Sequence, residues 1–501
     1  MYMGLVPTRR GASVMAAAAW LAGACGDPVG VGPDAGVDAA ADAASVSNDI
    51  HRSGRRLKIS YLESAEGTRQ FWELFDRELQ QPCWYTYTAA GLRCVPPNTW
   101  VSVYGDADCT RPLVTWFPVS CGQVPDLVAE DERTECTSQL TRVFRRGARL
   151  APRVVYHRRY DDGSCEATEP SPDADYYATG DEIPLTAFVA GTPRRGAGAT
   201  RLVQEVLEGD DGSQVEWGLH DQALDTDCHP YVPSLISNGF DSDEKDLTCV
   251  PPTAQARFSD TSCTEPVAAW FGCGAARYVE AIDFTTCPPT MTYHETADEI
   301  ELTTVYGGQT LDGNDVCRSS VLEPRDTCYR VGAEVPLDTF VHLRRLRDTT
   351  VVGRLQPYHD VADDGFRRRS EDFYDTVLGV SCQVDGFAAE PRCHPVGEAS
   401  ALTELFRDPD CAEPIAVGEQ RLERCPTPPA RFATEPADGT CTFMSPAYRL
   451  GDELPATTVL YERSSGDCRP FARDTAHARY YSVVEVIPPS RFAVLQHRIE
   501  D

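Results

Sequence analysis

The chain of 501 residues is poor in lysine and rich in acid. Lysine occurs only as Lys58 and Lys245, so arginine supplies nearly all of the 46 basic side chains. The 77 acidic residues leave a formal net charge of −31 at pH 7. A field of that sign repels a nucleic-acid polyanion. We therefore expect no nucleic-acid partner.

Local motifs of common active sites are also missing. The chain contains no H-E-x-x-H zinc motif, no P-loop and no dinucleotide fingerprint. Helical periodicity is scarce, and residues 401–408 (ALTELFRD) are the best short helix candidate. We predict no catalytic residue and no cofactor, and we consider an enzyme the less favoured class. A site assembled from scattered loops would leave no such motif.

Long apolar runs are absent except at the N-terminus. Arg9 and Arg10 precede the run 12–24, which ends in small residues before Cys25. Such a segment is too short for a permanent membrane helix and is typical of a bacterial export signal. We predict a signal peptide at residues 1–24.

Two cleavage sites compete at the end of this signal. Residues 21–25 (LAGAC) approximate a lipobox, in which Cys25 is acylated, whereas residues 22–24 (AGA) satisfy the ordinary rule for simple secretion. We favour lipidation of Cys25, followed by a disordered spacer rich in Gly, Ala, Pro and Asp, so that residues 25–53 form an anchor and tether. The predicted location is the outer membrane as an anchored lipoprotein, the cell surface or the periplasm, with secretion as the alternative. The membrane is contacted only through the N-terminal lipid.

Twenty cysteines are the most informative feature. With Cys25 set aside, eighteen of them form three sets of six, and Cys328 remains as a predicted unpaired thiol. The sets are Cys83, Cys94, Cys109, Cys121, Cys136 and Cys165; Cys228, Cys249, Cys263, Cys273, Cys287 and Cys317; and Cys382, Cys393, Cys411, Cys425, Cys441 and Cys468. An even number of cysteines in an exported chain predicts three disulfides per set, and we favour pairing of neighbours in order. Zinc binding by these cysteines is disfavoured because no C-x-x-C pair occurs.

Flanking residues recur with the cysteines and define three units, at residues 54–199, 200–352 and 353–501. The unit starts RRLKISYLE, TRLVQEVLE and GRLQPYHDV share an Arg-Leu pair. A Tyr-x-x-Gly-x-Glu-x-Pro phrase, or a degenerate copy, closes each unit, and further copies lie at 143–156 and 447–460. We interpret the phrase as a strand with a glycine turn and a proline edge.

Recurring aspartates are the candidates for carboxylate chemistry. They precede the first cysteine of each unit (Asp76, Asp221 and Asp375) and the third (Asp106, Asp260 and Asp408). Capping of turn N–H groups is the favoured role, because an active site rarely needs three copies, and catalysis or cation binding is the alternative.

A separate acidic loop lies between the first two cysteines of the second unit. In the segment NGFDSDEKD, Asp241, Asp243 and Asp246 could offer oxygens to Ca²⁺. The segment lacks the glycine and glutamate of an EF-hand loop. A solvated hairpin tip is therefore the favoured interpretation. We predict no metal site, and this loop stays only a candidate for Ca²⁺.

Short alternating segments rich in Val, Tyr, Phe and Thr, separated by Asp-Gly turns, predict an all-β fold. We predict three antiparallel repeats of about 150 residues, stapled by disulfides. Closure into a six-bladed β-propeller would hide sheet edges. Tandem β-sandwiches or other β modules are the alternative.

The export signal, the spacer and the repeated Cys, Asp and Tyr-x-x-Gly-x-Glu-x-Pro motifs resemble uncharacterised repeat lipoproteins of the myxobacterial type. The resemblance implies location and fold family and transfers no catalytic residue. We therefore expect a non-catalytic protein, tethered at the envelope or secreted, that presents a rigid β surface to an unknown protein or glycan partner. The alternative is an extracellular propeller-type hydrolase or lyase acting on polysaccharide or peptide.

Overall fold

The computed structural model describes most of the chain after the N-terminal segment. The described ranges are 50–96, 99–117, 124–133, 138–159, 163–196, 198–231, 244–271, 275–283, 290–311, 314–322, 326–385, 390–395, 402–419, 432–434, 446–464, 467–473 and 478–501. The predicted signal peptide, Cys25 and most of the spacer lie outside these ranges. No helix in the described part is long and apolar enough to span a membrane.

The described residues contain three sets of twelve strands in the same order, here called the first, second and third repeats. The first repeat contains β1 (Leu57–Ser64), β2 (Arg69–Asp76), β3 (Gln81–Thr88), β4 (Gly91–Val95), β5 (Thr99–Tyr104), β6 (Pro112–Trp116), β7 (Leu127–Arg133), β8 (Ser138–Leu150), β9 (Val155–Arg158), β10 (Cys165–Thr168), β11 (Asp175–Ile183) and β12 (Gly191–Arg195). The second contains β13 (Leu202–Gly209), β14 (Gln214–Asp221), β15 (Thr226–Tyr231), β16 (Glu244–Val250), β17 (Thr253–Phe258), β18 (Pro266–Trp270), β19 (Tyr278–Asp283), β20 (Thr290–Ile300), β21 (Thr304–Leu311), β22 (Asn314–Val321), β23 (Thr327–Val335) and β24 (Val341–Arg347). The third contains β25 (Leu355–Val361), β26 (Arg367–Asp375), β27 (Val380–Asp385), β28 (Arg392–Pro395), β29 (Leu402–Phe406), β30 (Pro414–Glu419), β31 (Phe432–Thr434), β32 (Ala447–Glu453), β33 (Leu460–Ser464), β34 (Asp467–Phe471), β35 (Ala478–Ile487) and β36 (Ala493–Ile499).

The first four strands and the last strand of each repeat join into one closed antiparallel circuit. Within a repeat the first four strands form a meander. The twelfth strand pairs with the fourth in the second and third repeats, and in the first repeat a single bridge between Arg93 and Ala190, just before β12, makes this contact. The twelfth strand also pairs with the first strand of the next repeat, as β12 does with β13 and β24 with β25. Strand β36 pairs with β1 and closes the circuit. Within the described residues, closure leaves no free edge in this sheet for another chain to pair with.

The opening hairpin of each repeat contributes to two hydrophobic cores. In β1, Leu57 packs in the core that contains the Cys83 side chain, whereas Leu62 packs in the core of the third repeat. A register shift between Ser60 and Tyr61 separates the two halves of the strand. A β-bulge bends a strand, which explains how one hairpin can serve two cores. Strand β13 behaves in the same way, with a shift after Glu205.

Strands five to eight and eleven of the first repeat form a second, smaller closed sheet. Its order is β5, β6, β11, β8, β7 and back to β5 through a parallel pair. The second repeat has the same circuit, formed by β17, β18, β23, β20 and β19. In the third repeat the described pairs run β29, β30, β35, β32 and β31. The hairpin of strands nine and ten attaches to the fifth strand.

The repeated Tyr-x-x-Gly-x-Glu-x-Pro phrase forms paired strands. Its two copies in the first repeat fall on β8 and β11, which are antiparallel neighbours with register shifts around Thr179. A Cβ on Gly147 would lie 2.9 Å from the Ala178 carbonyl oxygen, and a Cβ on Gly180 would lie 3.0 Å from the Arg145 carbonyl oxygen. The glycines therefore permit a close approach of two strands, and the predicted glycine turn is wrong.

The proline of each closing phrase starts a short 3-10 helix. These helices span Leu185–Ala187, Leu337–Thr339 and Pro489–Arg491, after Pro184, Pro336 and Pro488. Each is followed by a phenylalanine that is almost fully buried (Phe188, Phe340 and Phe492). The proline and the buried ring together turn the chain from the small sheet back into the large circuit.

Six disulfides are present in the described residues. The first and second cysteines of each set are paired, as Cys83–Cys94, Cys228–Cys249 and Cys382–Cys393. The third cysteine pairs with the sixth, as Cys109–Cys165, Cys263–Cys317 and Cys411–Cys468. The fourth and fifth cysteines of each set lie outside the described residues. Disulfides in this number are typical of proteins outside the cytoplasm.

Pairing of neighbours in order is therefore correct for the first two cysteines and wrong for the third. Cys109 lies in the turn between β5 and β6, and the hairpin β9–β10 packs across this turn. Tyr104 of β5 is bridged to Tyr156 of β9, and Arg158 donates a hydrogen bond of 2.6 Å to the Cys109 carbonyl. This tertiary contact brings Cys165 to Cys109, 56 residues away in sequence.

The predicted all-β class is confirmed. The described residues contain no α-helix, and residues 402–406 of the best short helix candidate form strand β29 instead. No closed propeller is seen in the described part. Consecutive repeats share hydrogen-bonded strands, whereas propeller blades are separate sheets.

Peptide mapping under non-reducing conditions checks the pairing. We expect a Cys109–Cys165 peptide, because the hairpin contact holds the two cysteines together. The Cys83–Cys94 peptide is common to both pairing schemes and serves as an internal control. A Cys109–Cys121 peptide would restore the sequential scheme and contradict this fold.

Candidate functional site

The first recurring aspartate of each repeat is buried and bound to an arginine. The carboxylates of Asp76, Asp221 and Asp375 are fully or almost fully buried. Each lies 2.7 Å from an arginine nitrogen, in the pairs Arg56–Asp76, Arg201–Asp221 and Arg354–Asp375. In each pair both carboxylate oxygens accept hydrogen bonds from the guanidinium. Such fork-like pairs are among the stronger hydrogen-bonded contacts in proteins.

The same groups also bind backbone atoms. Asp221 accepts hydrogen bonds from the N–H groups of Ala223 and Leu224, and the other two aspartates cap the equivalent turns. Arg201 donates a 2.6 Å hydrogen bond to the carbonyl of Thr339, in the closing 3-10 helix of its own repeat. Arg56 binds the Ala187 carbonyl, and Arg354 binds that of Arg491.

The predicted turn-capping role is therefore confirmed for these aspartates, whereas their arginine partners were not predicted. The shared Arg-Leu pair at the three unit starts was the available sequence signal. Each arginine ties together the start, the first turn and the closing helix of its repeat. We therefore interpret the three arginine–aspartate pairs as structural.

The second set of recurring aspartates also caps turns. Asp260 accepts hydrogen bonds from the backbone N–H groups of Ser262, Thr264 and Glu265 and from the Thr264 hydroxyl. Hydrogen bonds, led by that of the Glu265 N–H, lower the pKa of Asp260 to about 2. Asp106 and Asp408 bind the equivalent N–H groups. These carboxylates cap the N–H groups of the turn that contains the third cysteine of each set.

Only part of the candidate Ca²⁺ loop is described. Asp241 and Asp243 lie outside the described residues. Asp246 is exposed on β16 and lies 3.1 Å from Nε2 of His342 on β24. An imidazole partner is not a ligand that Ca²⁺ prefers, so Asp246 gives no support to a calcium site.

Cys328 is a free, buried thiol. It occupies the same place on β23 that Tyr176 occupies on β11, beside Ala269 and Ile300. Burial raises its pKa, so the thiolate is disfavoured. The thiol is part of an apolar core.

Two tryptophans at one position of the first two repeats pack against hydrophobic cores. Trp72 packs against the core of the third repeat and Trp217 against that of the first. The third repeat has Glu371 at this position, and burial raises the pKa of its carboxyl group. A buried ionic network lies nearby, in which the fully buried Asp360 binds both Arg345 and Arg368.

Two open grooves lie near the segment that follows the eighth strand, one in the first repeat and one in the second. The groove in the first repeat, of about 670 Å³, is lined by residues 149–152, 170–172 and 174–176. The groove in the second repeat, of about 700 Å³, is lined by Ser259, residues 301–304 and Tyr306. Both are shallow and mix polar with apolar walls. They suit contact with an extended partner better than enclosure of a small molecule.

A cluster found in the second repeat has the residue types of a metal site. Glu205 on β13, His220 on β14 and Asp227 on β15 bring their ligand atoms within 4.8 Å of one another. His220 is almost fully buried, and its Nδ1 lies 2.8 Å from Asp227. Burial and the charge of Asp227 raise the pKa of Glu205. Sequence reasoning missed this cluster because its members lie on three strands with no motif spacing.

Glu73 on β2 is a half-buried carboxyl group with a strongly raised pKa. Burial raises its pKa to about 7. A perturbed carboxyl group can mark a functional site when specific partners accompany it. Burial is the cause here, so we interpret Glu73 as a half-buried acid of the scaffold.

Comparison with known proteins identifies a family and no function. The model of a family of unknown function, DUF7481, matches residues 35–437. No curated protein matches the chain, and no solved structure matches it either.

The substitution Arg201→Met tests how much the Arg201–Asp221 pair contributes to stability. It leaves the Asp221 carboxylate buried without its cation, and breaking a buried pair in this way costs about 3–5 kcal/mol. Chemical denaturation should therefore show a loss of about 3 kcal/mol in the free energy of unfolding. Arg194→Met is the control, because its pair with Glu208 is exposed and such pairs contribute less than about 1 kcal/mol. Equal losses of unfolding free energy in both variants would show that the Arg201–Asp221 pair contributes no more to stability than an exposed ion pair.

The substitution Glu73→Gln tests burial of the acid through pH. The pKa is raised in the folded state, so the carboxyl group favours folding at pH values below about 4.3, its unfolded pKa, and this contribution is lost as the pH rises through about 7. We expect the glutamine variant to gain stability relative to the wild-type chain as the pH rises from about 4.5 to about 7.5, measured by urea denaturation. A stability difference that does not change with pH would contradict a raised pKa of Glu73 in the folded state.

Proposed function

The chain belongs to DUF7481, a family of unknown function, and we propose that it is a non-catalytic, envelope-tethered lipoprotein that presents a rigid β surface to a partner. The tether is Cys25, lipidated after removal of residues 1–24. The location proposed is the outer membrane or cell surface of a bacterium of the myxobacterial type. The disulfides support an oxidising compartment.

The observation that carries the proposal is the closed circuit of strands. The last strand of each repeat pairs with the first strand of the next, and the last strand of the third repeat returns to the first strand of the first. Within the described part of each repeat, two disulfides and the pair between the first recurring aspartate and its arginine fix the meander and the small sheet. A surface held in this way loses little conformational entropy when it binds.

The threefold recurrence of the fold favours a partner that itself repeats, such as a polysaccharide. Equivalent surfaces of consecutive repeats can contact successive segments of one polymer. Linked weak contacts of this kind give high avidity without any deep pocket. A glycan of the envelope or matrix is thus the favoured partner, and a protein surface is the alternative.

Co-sedimentation with insoluble envelope polysaccharide separates binding from turnover. The mature disulfide-bonded chain should sediment with the polymer and release no new reducing or unsaturated sugar ends. The reduced and alkylated chain is the control, because it loses the fold and should stay in the supernatant. Release of new sugar ends would instead establish a hydrolase or lyase, and absence of sedimentation would contradict a glycan partner.

The anchor is tested by Cys25→Ser. Without the thiol no lipid can be attached, so the protein should move from the membrane fraction to the soluble fraction, as measured by fractionation and mass spectrometry of the mature N-terminus. Cys328→Ser is the matched control, because this thiol is buried in the second repeat. An unmodified Cys25 in the wild-type protein would defeat the proposed anchor.

A further inference from the structure

The Glu205, His220 and Asp227 side chains share one face of the sheet formed by β13, β14 and β15. His220 lies directly opposite Asp227 across β14 and β15 and opposite Val203 across β13 and β14. Glu205 lies two residues beyond Val203 on β13 and so points to the same face. The pairing of the strands, and not a flexible loop, positions all three groups.

The equivalent positions of the other two repeats carry no charged group. Aligned on the capped aspartates and first cysteines, the first repeat has Ser60, Phe75 and Pro82 there. The third has Tyr358, Tyr374 and Ser381, and the Tyr358 hydroxyl lies 2.9 Å from the Ser381 hydroxyl. The same backbone thus folds without any of the three ionisable groups. Their presence in the second repeat is not required by the fold.

We propose that Glu205, His220 and Asp227 bind one divalent transition-metal ion of the Zn²⁺ type. An imidazole nitrogen and two carboxylates form a set of three ligands that suits Zn²⁺ and leaves a fourth position open to water. Ca²⁺ and Mg²⁺ prefer oxygen ligands alone and are disfavoured by the imidazole. This inference does not depend on the proposed anchor or glycan partner.

The second nitrogen of His220 strengthens the assignment. With Nδ1 facing Asp227, Nε2 lies 3.3 Å from a carboxylate oxygen of Asp225. Histidine ligands commonly donate their other N–H group to a carboxylate, which fixes the ring and raises its basicity. Asp225 is thus a positioning residue for the imidazole.

Arg195 competes with the proposed metal ion for the Glu205 carboxylate. Its guanidinium lies 3.2 Å from Glu205 and 3.4 Å from Asp225, and its side chain is 58% exposed. Metal binding must separate Arg195 from Glu205, which the exposed arginine can do by turning toward solvent. Removal of this cation, as in Arg195→Gln, should therefore strengthen metal binding.

Calorimetry with Zn²⁺ alone tests the site on the mature disulfide-bonded chain carrying Cys25→Ser, which removes a thiol that could itself bind metal. We expect one Zn²⁺ per chain and a melting temperature that rises with Zn²⁺ concentration. His220→Phe copies the first repeat and should fold. Because outer partners alone account for about 10- to 100-fold in affinity, loss of this ligand should weaken binding by more than about 100-fold.

Two further variants make the result specific. Asp225→Asn should weaken Zn²⁺ binding by about 10- to 100-fold without removing a ligand. His342→Gln is the matched control, since it removes an exposed histidine paired with Asp246 in the same repeat, and its Zn²⁺ affinity should be unchanged. Failure of the wild-type chain to bind Zn²⁺, or equal binding by the His220→Phe variant, would overturn the proposal.

Discussion

The buried arginine–aspartate pair at the start of each repeat is the interaction on which the rest of the fold depends. Arg201 holds Asp221 in the first turn and reaches the carbonyl of Thr339 at the end of the same repeat. The closing strand β24 begins two residues later and enters the large circuit from this point. A buried carboxylate needs a cation, and this cation fixes where the repeat begins and where it ends.

Closure of the circuit makes the three repeats interdependent. Because each opening hairpin packs in two cores, no repeat buries its apolar residues alone. The tip of the second hairpin shows the connection most directly, since Asp211 accepts hydrogen bonds from the N–H groups of Arg56 and Leu57 in the first repeat. Burial opposes ionisation of Asp211, but the hydrogen bonds from Ser213 and from this backbone prevail and keep its pKa low. This sharing is the physical basis of the rigid binding surface proposed above.

Threefold recurrence also distinguishes structural side chains from candidate functional ones. Groups that occur in every repeat, such as the capped aspartates, hold turns and termini. Groups that occur in only one repeat, such as His220, are not needed to hold the turns and termini, because the other repeats form the same backbone without them. The proposed metal site is of the second kind, which is why it can be removed by substitutions that the other repeats already carry.

The sequence alone determined the strand class, the caps and the first disulfide of each set. These features depend on short separations, such as the alternation of apolar residues and the hairpin that joins Cys83 to Cys94. Tertiary structure decided the pairing of Cys109 with Cys165, the strand-to-strand role of Gly180 and the meeting of Glu205 with His220 and Asp227. Each of these depends on which strands lie side by side. Strand order is set by burial and backbone pairing across the whole chain, and no local spacing records it.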